Sequence, residues 1–517
     1  MSGSDPGTRD GLRGLVRDVK KAGEMDQANE AAEKRKISSR AALRNLDDQS
    51  YRGFLARLEK RGELVRIDTE VDPASNMAAV EWKTYDQHGK ASLFTNIKGH
   101  PGWQACSQIL TDRRKWALAL SLTEDELLGA MSHKIRTPID PVMVESATAP
   151  VKEMVLTGDK ASLDDIPAMF TSQEDGGRYI ASGMVIIKDP ETGIRNIAIH
   201  RLHILGPDRT GFIMLPRQTR RIYDMYRARN EPMPVAIAIG AHPAIVFASG
   251  FTTDFEQDEL AIAGGILGDP VRLVKCETID LEVPAEAEIV LEGEVLPDES
   301  TAEGPFGEVP GTYAERGTAE IFRLKTITRR RSPIFYALHC GAPVTCAQGI
   351  TSLCVEIGTW EHMQKVEGGL DLLDVRCIPA AGTMLLVIKL RPKVEGQAKT
   401  ALMAALSGPF LHPKLAIAVD DDIDASDLRQ VMWSMTTRVH AERDVVMIPN
   451  VRVFPLDNAS PVVEGGTGFQ RVGTKWMIDA TKPAVTQVEQ RARFERAMPK
   501  NFDSVNIEDF LPEDALR

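Results

Sequence analysis

From Met154 to Cys340 the sequence is a succession of short β-rich runs. SGMVIIKD, IRNIAIHRLHIL, GFIML, VAIAIG, AIVFASGF, PVRLVKCETIDLEV, AEIVLEGEVL, AEIFRLKTITRR and PIFYALHC follow one another, with Gly, Pro and Asp between them. A short strand cannot bury its apolar face alone. Many of them at this spacing predict a barrel or a sandwich. The flanks have a different texture. In YRGFLARLEKRGELVRI the apolar Phe54, Leu55 and Leu58 fall at helical spacing, and a Gly62 stop precedes a strand from Leu64 to Ile67. Helix and strand patterns alternate from there to about residue 150, the habit of an α/β layer. ITSLCVEIGTWEHMQKVEG (350–368) predicts a connecting helix ended by Gly368 and Gly369. TMLLVIKL, GQAKTALMAAL, KLAIAV and ASDLRQVMWSMTTRV then read as strand, helix, strand, helix. The expected fold class is α/β (α+β, multidomain). Its parts are a polar extension at 1–46, an α/β region at 47–150, a β-rich body at 151–345, a linker helix at 346–369, a second α/β region at 370–490 and a tail at 491–517. The charged sequence after about residue 484 predicts a helix lying across a neighbour.

At about 150 residues per domain, 517 residues suggest two to four domains, each large enough for a core. The net charge of −12 favours neither nucleic acid nor a membrane surface as partner. No apolar run has membrane-spanning length, and MSGSDPGTRDGL lacks the basic-then-apolar layout of a signal peptide. Six cysteines without a CxxC or a zinc spacing predict reduced thiols and a cytoplasmic protein.

Within the β-rich body, Ala302-Glu303-Gly304-Pro305-Phe306-Gly307-Glu308-Val309-Pro310-Gly311 stands out. Proline pre-sets φ, and glycine admits conformations and close approaches that other residues refuse. The segment predicts a shaped loop holding two carboxylates at fixed positions; a solvated surface turn is the other reading. Three further segments offer partners: Arg195–Arg201, Leu215–Thr219, and Gln257–Leu260 ahead of the small-residue helix AIAGGILG. Their Asn, Gln and Glu side chains are oxygen donors suited to a hard cation. Asp420-Asp421-Asp422 admits a metal reading and a strand-to-helix turn, of which the turn is preferred. GGTGFQRVG (465–473) lacks the strand and helix of a dinucleotide fingerprint and is rejected as one.

Taken together, Glu303-Gly-Pro-Phe-Gly-Glu308, Asn196-x-x-x-x-Arg201, FLARLEKRGELVRI, Asp175-Gly-Gly-Arg-Tyr179, LVKC-ET-x-DL-x-VPA-x-x-EIVLEG and DDDID…W-x-x-TTR resemble the UbiD family. Its members are prenylated-FMN-dependent decarboxylases that include the ferulic acid and protocatechuate enzymes. The resemblance runs from about residue 51 to 485. It implies that 151–345 is a split-barrel flavin domain and that 370–490 forms the contact of a homodimer or higher homo-oligomer. It also implies that a prenyl-flavin synthase supplies the cofactor. Arg201, Glu303 and Glu308 match the catalytic Glu–Arg–Glu network. Asn196 and Glu259 match two ligands of the Mn²⁺ (or Mg²⁺) ion that ties down the cofactor phosphate. The third ligand, usually histidine, falls on Gln218, a harder and neutral donor. Ala248, Ser249 and Phe251 fall where backbone oxygens seat K⁺. Ile197, Ala198, Ile199, Arg217, Gly250 and Lys414 join Arg201, Gln218, Ser249, Phe251 and Glu259 as cofactor-contacting positions.

The residues support this chemically. Loss of CO₂ from an sp² carbon needs an electron sink that no side chain supplies. The family's modified flavin is an azomethine ylide that can add to the substrate. Arg201 then offers a fork to a carboxylate, and Glu308 is the acid that protonates carbon. Phe306 and Val309 are expected to raise the pKa of Glu308, and Arg201 to lower that of the glutamate it pairs with. Asn196 and Arg201 lie an odd number of residues apart, so on a regular strand they face opposite sides. One cofactor reaches both only if the strand is bulged, ends there or presents its edge. His200 and His203 read as ordinary strand residues, His203 the further from chemistry. Cys340 reads as a pocket wall, with Ile350 and 462–472 as further lining. The substrates implied are small aromatic, heteroaromatic or α,β-unsaturated acids, released CO₂ being the co-product. The competing readings are a split-barrel FMN reductase and a non-catalytic flavin-binding protein.

Overall fold

Ser50 opens the first helix, Tyr51–Lys60, by accepting the Gly53 N–H at 3.0 Å, and the helix buries Tyr51, Phe54, Leu55 and Leu58. The computed structural model describes residues 49–341, 344–366, 369–463 and 470–511. The 1–46 extension, residues 512–517 of the tail and 464–469 of the 462–472 stretch lie outside the described residues.

The N-terminal layer is a four-stranded sheet in the order Leu64–Ile67, Ala91–Phe94, Gln104–Ser107, Ile334–Tyr336. Its last strand enters from the far end of the β-rich body and pairs in parallel with Gln104–Ser107. PIFYALHC is therefore not part of the barrel. Its Ile334, Phe335 and Tyr336 are buried in the N-terminal core, a long-range pairing that local pattern cannot show.

The barrel itself has six antiparallel strands. In order round the wall they are Ile289–Glu303, Met233–Ile239, Tyr179–Lys188, Arg195–Gly206, Arg209–Phe212 and Gly317–Arg329, which closes back on Ile289–Glu303. Met154–Thr157 adds to the outside of Gly317–Arg329. Two further runs expected as strands of this body take other places. AIVFASGF lies in the helix Pro243–Gly250, started by Pro243 and by His242, whose ring accepts the Ala244 N–H at 3.1 Å. A buried apolar run is ambiguous in period, and its proline decides. PVRLVKCETIDLEV supplies Arg272–Lys275 and Glu282–Pro284 to a separate three-stranded sheet with Val142–Met143.

The connecting helix runs Cys346–Met363, starting earlier than its apolar spacing suggests. A capping box fixes that start: Gln348 reaches back to the Thr345 N–H at 2.6 Å. The C-terminal sheet follows in the order Leu372–Cys377, Leu385–Leu390, Leu415–Val419, Val472–Ala480, Val445–Arg452. The expected tail helix shrinks to Val488–Ala492. The tail lacks a continuous apolar stripe and is pinned by charge instead, with Arg491 on Asp420 at 2.5 and 2.9 Å. Among the described residues no helix is long and apolar enough to cross a membrane. All six cysteines are free thiols.

Candidate active site

Glu303 is the last residue of the barrel strand Ile289–Glu303, and Arg201 stands on Arg195–Gly206. Arg201 forks onto Glu303, Nε donating to Oε1 at 2.9 Å and Nη2 to Oε2 at 2.6 Å. Its remaining Nη1 donates to Glu308 Oε1. The guanidinium also lies over the Phe306 ring, 5.0 Å from its centroid. Side-chain exposure is 9% for Arg201, 1% for Glu303 and 14% for Glu308, so Arg201 and Glu308 keep some access to a ligand and Glu303 has almost none. The three residues singled out from the sequence meet at one point.

The loop that carries Glu308 is built by backbone hydrogen bonds. Phe306–Gly307 pairs with Tyr313–Ala314, and the Glu308 N–H donates to the Thr312 carbonyl at 2.9 Å. Asp175 supports it from below, accepting the Gly307 and Ser172 N–H groups at 2.8 Å each. The Gly176 N–H donates to the Pro305 carbonyl at 2.8 Å. A Cβ on Gly176 would stand 2.6 Å from the Gly304 oxygen, which is why this position is glycine. The Asp-Gly-Gly-Arg-Tyr segment is thus the platform of the site. Its adjacent glycines were the visible signal for a structural role that spacing alone did not assign.

Burial raises the pKa of Glu308 and outweighs the opposing pull of Arg201. Arg201 itself is held charged: burial works against it, but Glu308 and Glu303 raise its pKa overall. Burial first, and Glu308 next, push the Cys340 thiol well up, so it is a wall and not a nucleophile.

A second cluster lies on the other face of the same strand. Asn196 Nδ2 donates to Gln218 Oε1 at 2.8 Å and to Glu259 Oε1 at 3.1 Å. Glu259 also accepts the Ile197 N–H at 3.0 Å and the Thr253 hydroxyl at 2.9 Å. Thr219 donates to Asn196 Oδ1 at 3.3 Å, and His200 meets that same hydroxyl at 3.1 Å. Burial lifts Glu259 to about 7. Gln218 Oε1 and the Glu259 carboxylate converge on the Asn196 amide, and with that amide turned over the three side chains would present oxygens suited to a hard divalent ion.

The question of parity resolves at the strand edge. Arg209–Phe212 pairs only with Leu202–Gly206, so the edge of 195–201 has no strand partner and Glu259 takes one of its N–H groups. The neighbouring ladder slips between Ile180 and Gly183, beside Arg201. An object lying along this edge can touch residues of both faces.

The remaining positions are distributed as follows. A Cβ on Gly250 would lie 3.3 Å from Ile350 Cγ2 and 3.9 Å from Ile199 Cδ1, which places these three side by side. Ala248 and Ser249 are at the carboxyl end of Pro243–Gly250, where carbonyls run out of helical partners. The Phe251 ring stacks on Phe247 at 5.3 Å and faces Phe410 at 6.1 Å. Ala198 is half-buried, paired with Val185. Arg217 immediately precedes the helix Gln218–Ala228, and its side chain has no carboxylate partner among the described residues. With Gln218, Arg221 and Phe255 it lines a hollow of about 720 Å³. Lys414 is committed to Asp457 at 2.8 Å. A larger cleft of about 1610 Å³, lined by Arg113, Glu356, Asp374 and Arg376, lies away from all of these residues.

Two residues matter more than their sequence context indicated. His203, expected to be remote, stacks on Tyr179 at 4.6 Å, and Tyr179 leans on Phe306 at 4.4 Å. The aspartate run shows the opposite. Asp420 pairs with Arg491, Asp421 with Arg391 and Asp422 with Arg438, so cations of the chain itself occupy the acids and the metal reading falls away. The helix that follows is capped by Asp427, not by this run.

Three family models match the chain in order. They describe the N-terminal domain of 3-octaprenyl-4-hydroxybenzoate carboxy-lyase over residues 55–135, its Rift-related domain over 142–343 and its C-terminal domain over 350–480. The chain is similar to a phenolic acid decarboxylase of Bacillus subtilis (strain 168), 31% identical over 452 residues that span 85% of this chain and 93% of that one. Among solved structures it is similar to the UbiD-class enzyme HmfF from Pelotomaculum thermopropionicum in complex with FMN. The TM-score is 0.82 at 33% identity, covering 89% of this chain and all of the other. An evolved dimeric form of that enzyme in complex with prFMN superposes with a TM-score of 0.79 at 31% identity, covering 90% of this chain and 100% of that one.

Proposed function

The chain belongs to the UbiD family of carboxy-lyases, and from that premise we propose that it is a reversible, non-oxidative decarboxylase of an aromatic, heteroaromatic or α,β-unsaturated carboxylic acid, using prenylated FMN. The observation that carries this reading is the buried Arg201, forked on Glu303 and touching Glu308. Prenylated FMN, when bound, supplies the electron sink for the carbon that loses CO₂. The relatives solved with FMN and prFMN support that choice.

Asn196, Gln218 and Glu259 would hold Mn²⁺ or Mg²⁺ against the cofactor phosphate, with Arg217 as a further cation for it. Ile197, Ala198 and Ile199 offer the unpaired strand edge. Gly250, Ser249, Phe251 and Lys414 complete the cofactor's surroundings, and the carbonyls of Ala248, Ser249 and Phe251 would seat K⁺.

Arg201 orients the substrate. Glu303 keeps two of its nitrogens, so an incoming carboxylate competes with Glu308 for Nη1. Displaced from the arginine, Glu308 is free to turn towards the substrate carbon. Burial raises its pKa and so favours the protonated form, which delivers its proton once CO₂ has left. In the reverse direction the same carboxylate removes the proton and CO₂ adds, since no coupled step makes the reaction irreversible. The enzyme acts as a cytoplasmic homo-oligomer and receives its cofactor from a prenyl-flavin synthase.

The test is protein co-produced with a prenyl-flavin synthase and assayed for CO₂ release over hydroxybenzoates, pyrrole and furan carboxylates, and cinnamate-type acids. CO₂ from at least one class, absent from protein carrying plain FMN, is the expected result. NAD(P)H oxidation without CO₂ release would instead identify a flavin reductase.

A further inference from the structure

The strand that carries Arg201 places His203 two residues on and on the same face. Its ring lies flat on Tyr179, 4.6 Å away at 13°. Tyr179 rests on Phe306, and Phe306 lies beneath the Arg201 guanidinium. The four side chains form one column beside Glu303. From the position a Gly211 Cβ would occupy, His203 Cβ is 3.5 Å away and Glu303 Cγ 3.6 Å. His203 Nε2 abuts the backbone of Gly177, where a Cβ would stand only 2.5 Å from it. Nδ1 is buried without a well-formed hydrogen bond among the described residues, and the Gly176 backbone is the polar group the ring meets. An imidazole packed this closely cannot turn away, and the charge of Glu303 acts on it in favour of its protonated form.

We propose that His203 is a positioning residue of the reaction assigned above: as a neutral ring stacked on Tyr179 it backs Glu303, which keeps the carboxylate forked on Arg201, and as an imidazolium it draws Glu303 off the arginine. The groups facing it are Glu303 from the end of the barrel strand Ile289–Glu303, Arg201 on its own strand, Asp175 and the Gly176 backbone from the platform loop, and Tyr179. Burial favours the neutral ring, Arg201 does the same, and Glu303 and Asp175 oppose. Loss of the fork lets the guanidinium swing, so the substrate carboxylate is misplaced and turnover falls on the acid side.

The inference rests on the proposed decarboxylation, and the test separates the two. In holoenzyme, His203→Ala should lower kcat/KM about tenfold at neutral pH, the cost of a misplaced fork. His203→Gln, which fills the same space without titrating, should restore most of it while abolishing the acid limb that the parent shows as His203 protonates. An unchanged acid limb in His203→Gln overturns the proposal. Independently of any CO₂ assay, the imidazole is followed by NMR with ¹⁵N-labelled histidine. Glu303→Gln removes the carboxylate that opposes burial, so the His203 titration should move down by about one pH unit. A His203 titration that does not move in Glu303→Gln, on a protein that melts cooperatively, overturns the coupling even if no acid substrate is found.

Discussion

Burial raises the pKa of Glu308 against the pull of Arg201, and that balance decides what the residue can do. Paired with Arg201, as it stands here, Glu308 is a poor acid, and leaving the arginine is what lets burial favour its protonated form. Glu308→Gln retains the shape and cannot deliver a proton. CO₂ release should fall by roughly 10² to 10⁴-fold, the usual scale for a lost general acid, while the flavin absorbance of the loaded protein stays. The sign of the pH dependence follows from the raised pKa. Decarboxylation needs the protonated form, so kcat should decline on the alkaline side through a value above the ordinary carboxylate range, and Glu308→Gln should lack that limb. Because the native state binds this proton more tightly than the unfolded chain does, the same group adds stability at low pH and loses it as pH rises through its folded value. Arg201 answers a different question. Glu303 is 1% exposed, and Arg201 holds both of its oxygens. Arg201→Met strands that carboxylate and should cost about 3–5 kcal/mol in urea denaturation, more than any surface arginine costs.

At the scale of elements, the catalytic hairpin depends on a loop that carries no chemistry. Asp175 and Gly176 hold the backbone of Gly307 and Pro305, and no flexible side chain stands between Gly176 and the Gly304 oxygen. Gly176→Ala must therefore move backbone against backbone. It should lower stability by about 1–3 kcal/mol and displace Glu303 and Glu308 together, so CO₂ release falls more than the melting temperature alone would suggest. The legibility of the sequence divides along the same line. Glu303 and Glu308 were visible because charged residues in a glycine- and proline-rich setting need a reason to be there, whereas Arg201, inside an apolar strand, was picked out by the resemblance to the family's network. The first helix and its strand were visible because periodicity is local. AIVFASGF was not, since a buried apolar segment loses its period and only Pro243 marks it as a helix. Ile334–Tyr336 was not, since its partner strand lies more than two hundred residues upstream and nothing local encodes the pairing. The surroundings of His203 were not legible because Tyr179 and Glu303 come near it only after the barrel closes. The aspartates at 420–422 left a metal reading open beside the preferred turn, because the arginines that pair with two of them come from residues 391 and 491, outside that stretch of sequence.

For the whole molecule, the telling contact is the one between the C-terminal region and the loop of Glu308. Asn458 Nδ2 donates to Thr312 Oγ1 and to the Tyr313 carbonyl, each at 3.1 Å. Thr312 is the residue whose carbonyl accepts the Glu308 N–H, and Gly311 donates back to the Glu308 carbonyl at 2.8 Å. Beside Asn458, Asp457 binds Lys414 from the C-terminal sheet. A side chain of the C-terminal region thus adds to the hold that the Asp175–Gly176 loop and Gln348, which donates to the Val309 carbonyl at 2.8 Å, already have on this hairpin. The two bonds are partly exposed, so their net stabilisation is small, about 0.5–1.5 kcal/mol each. Their effect on catalysis should exceed that, because a loosely held Glu308 spends less time within reach of the carbon it protonates. Asn458→Ala should leave the melting temperature within about 2 °C of the parent while lowering kcat about tenfold with little change in KM. A matching fall in stability and turnover would make Asn458 an ordinary structural contact. A loss confined to kcat, with the alkaline limb of Glu308 displaced, would mean that the C-terminal region sets the proton donor at a distance from the barrel.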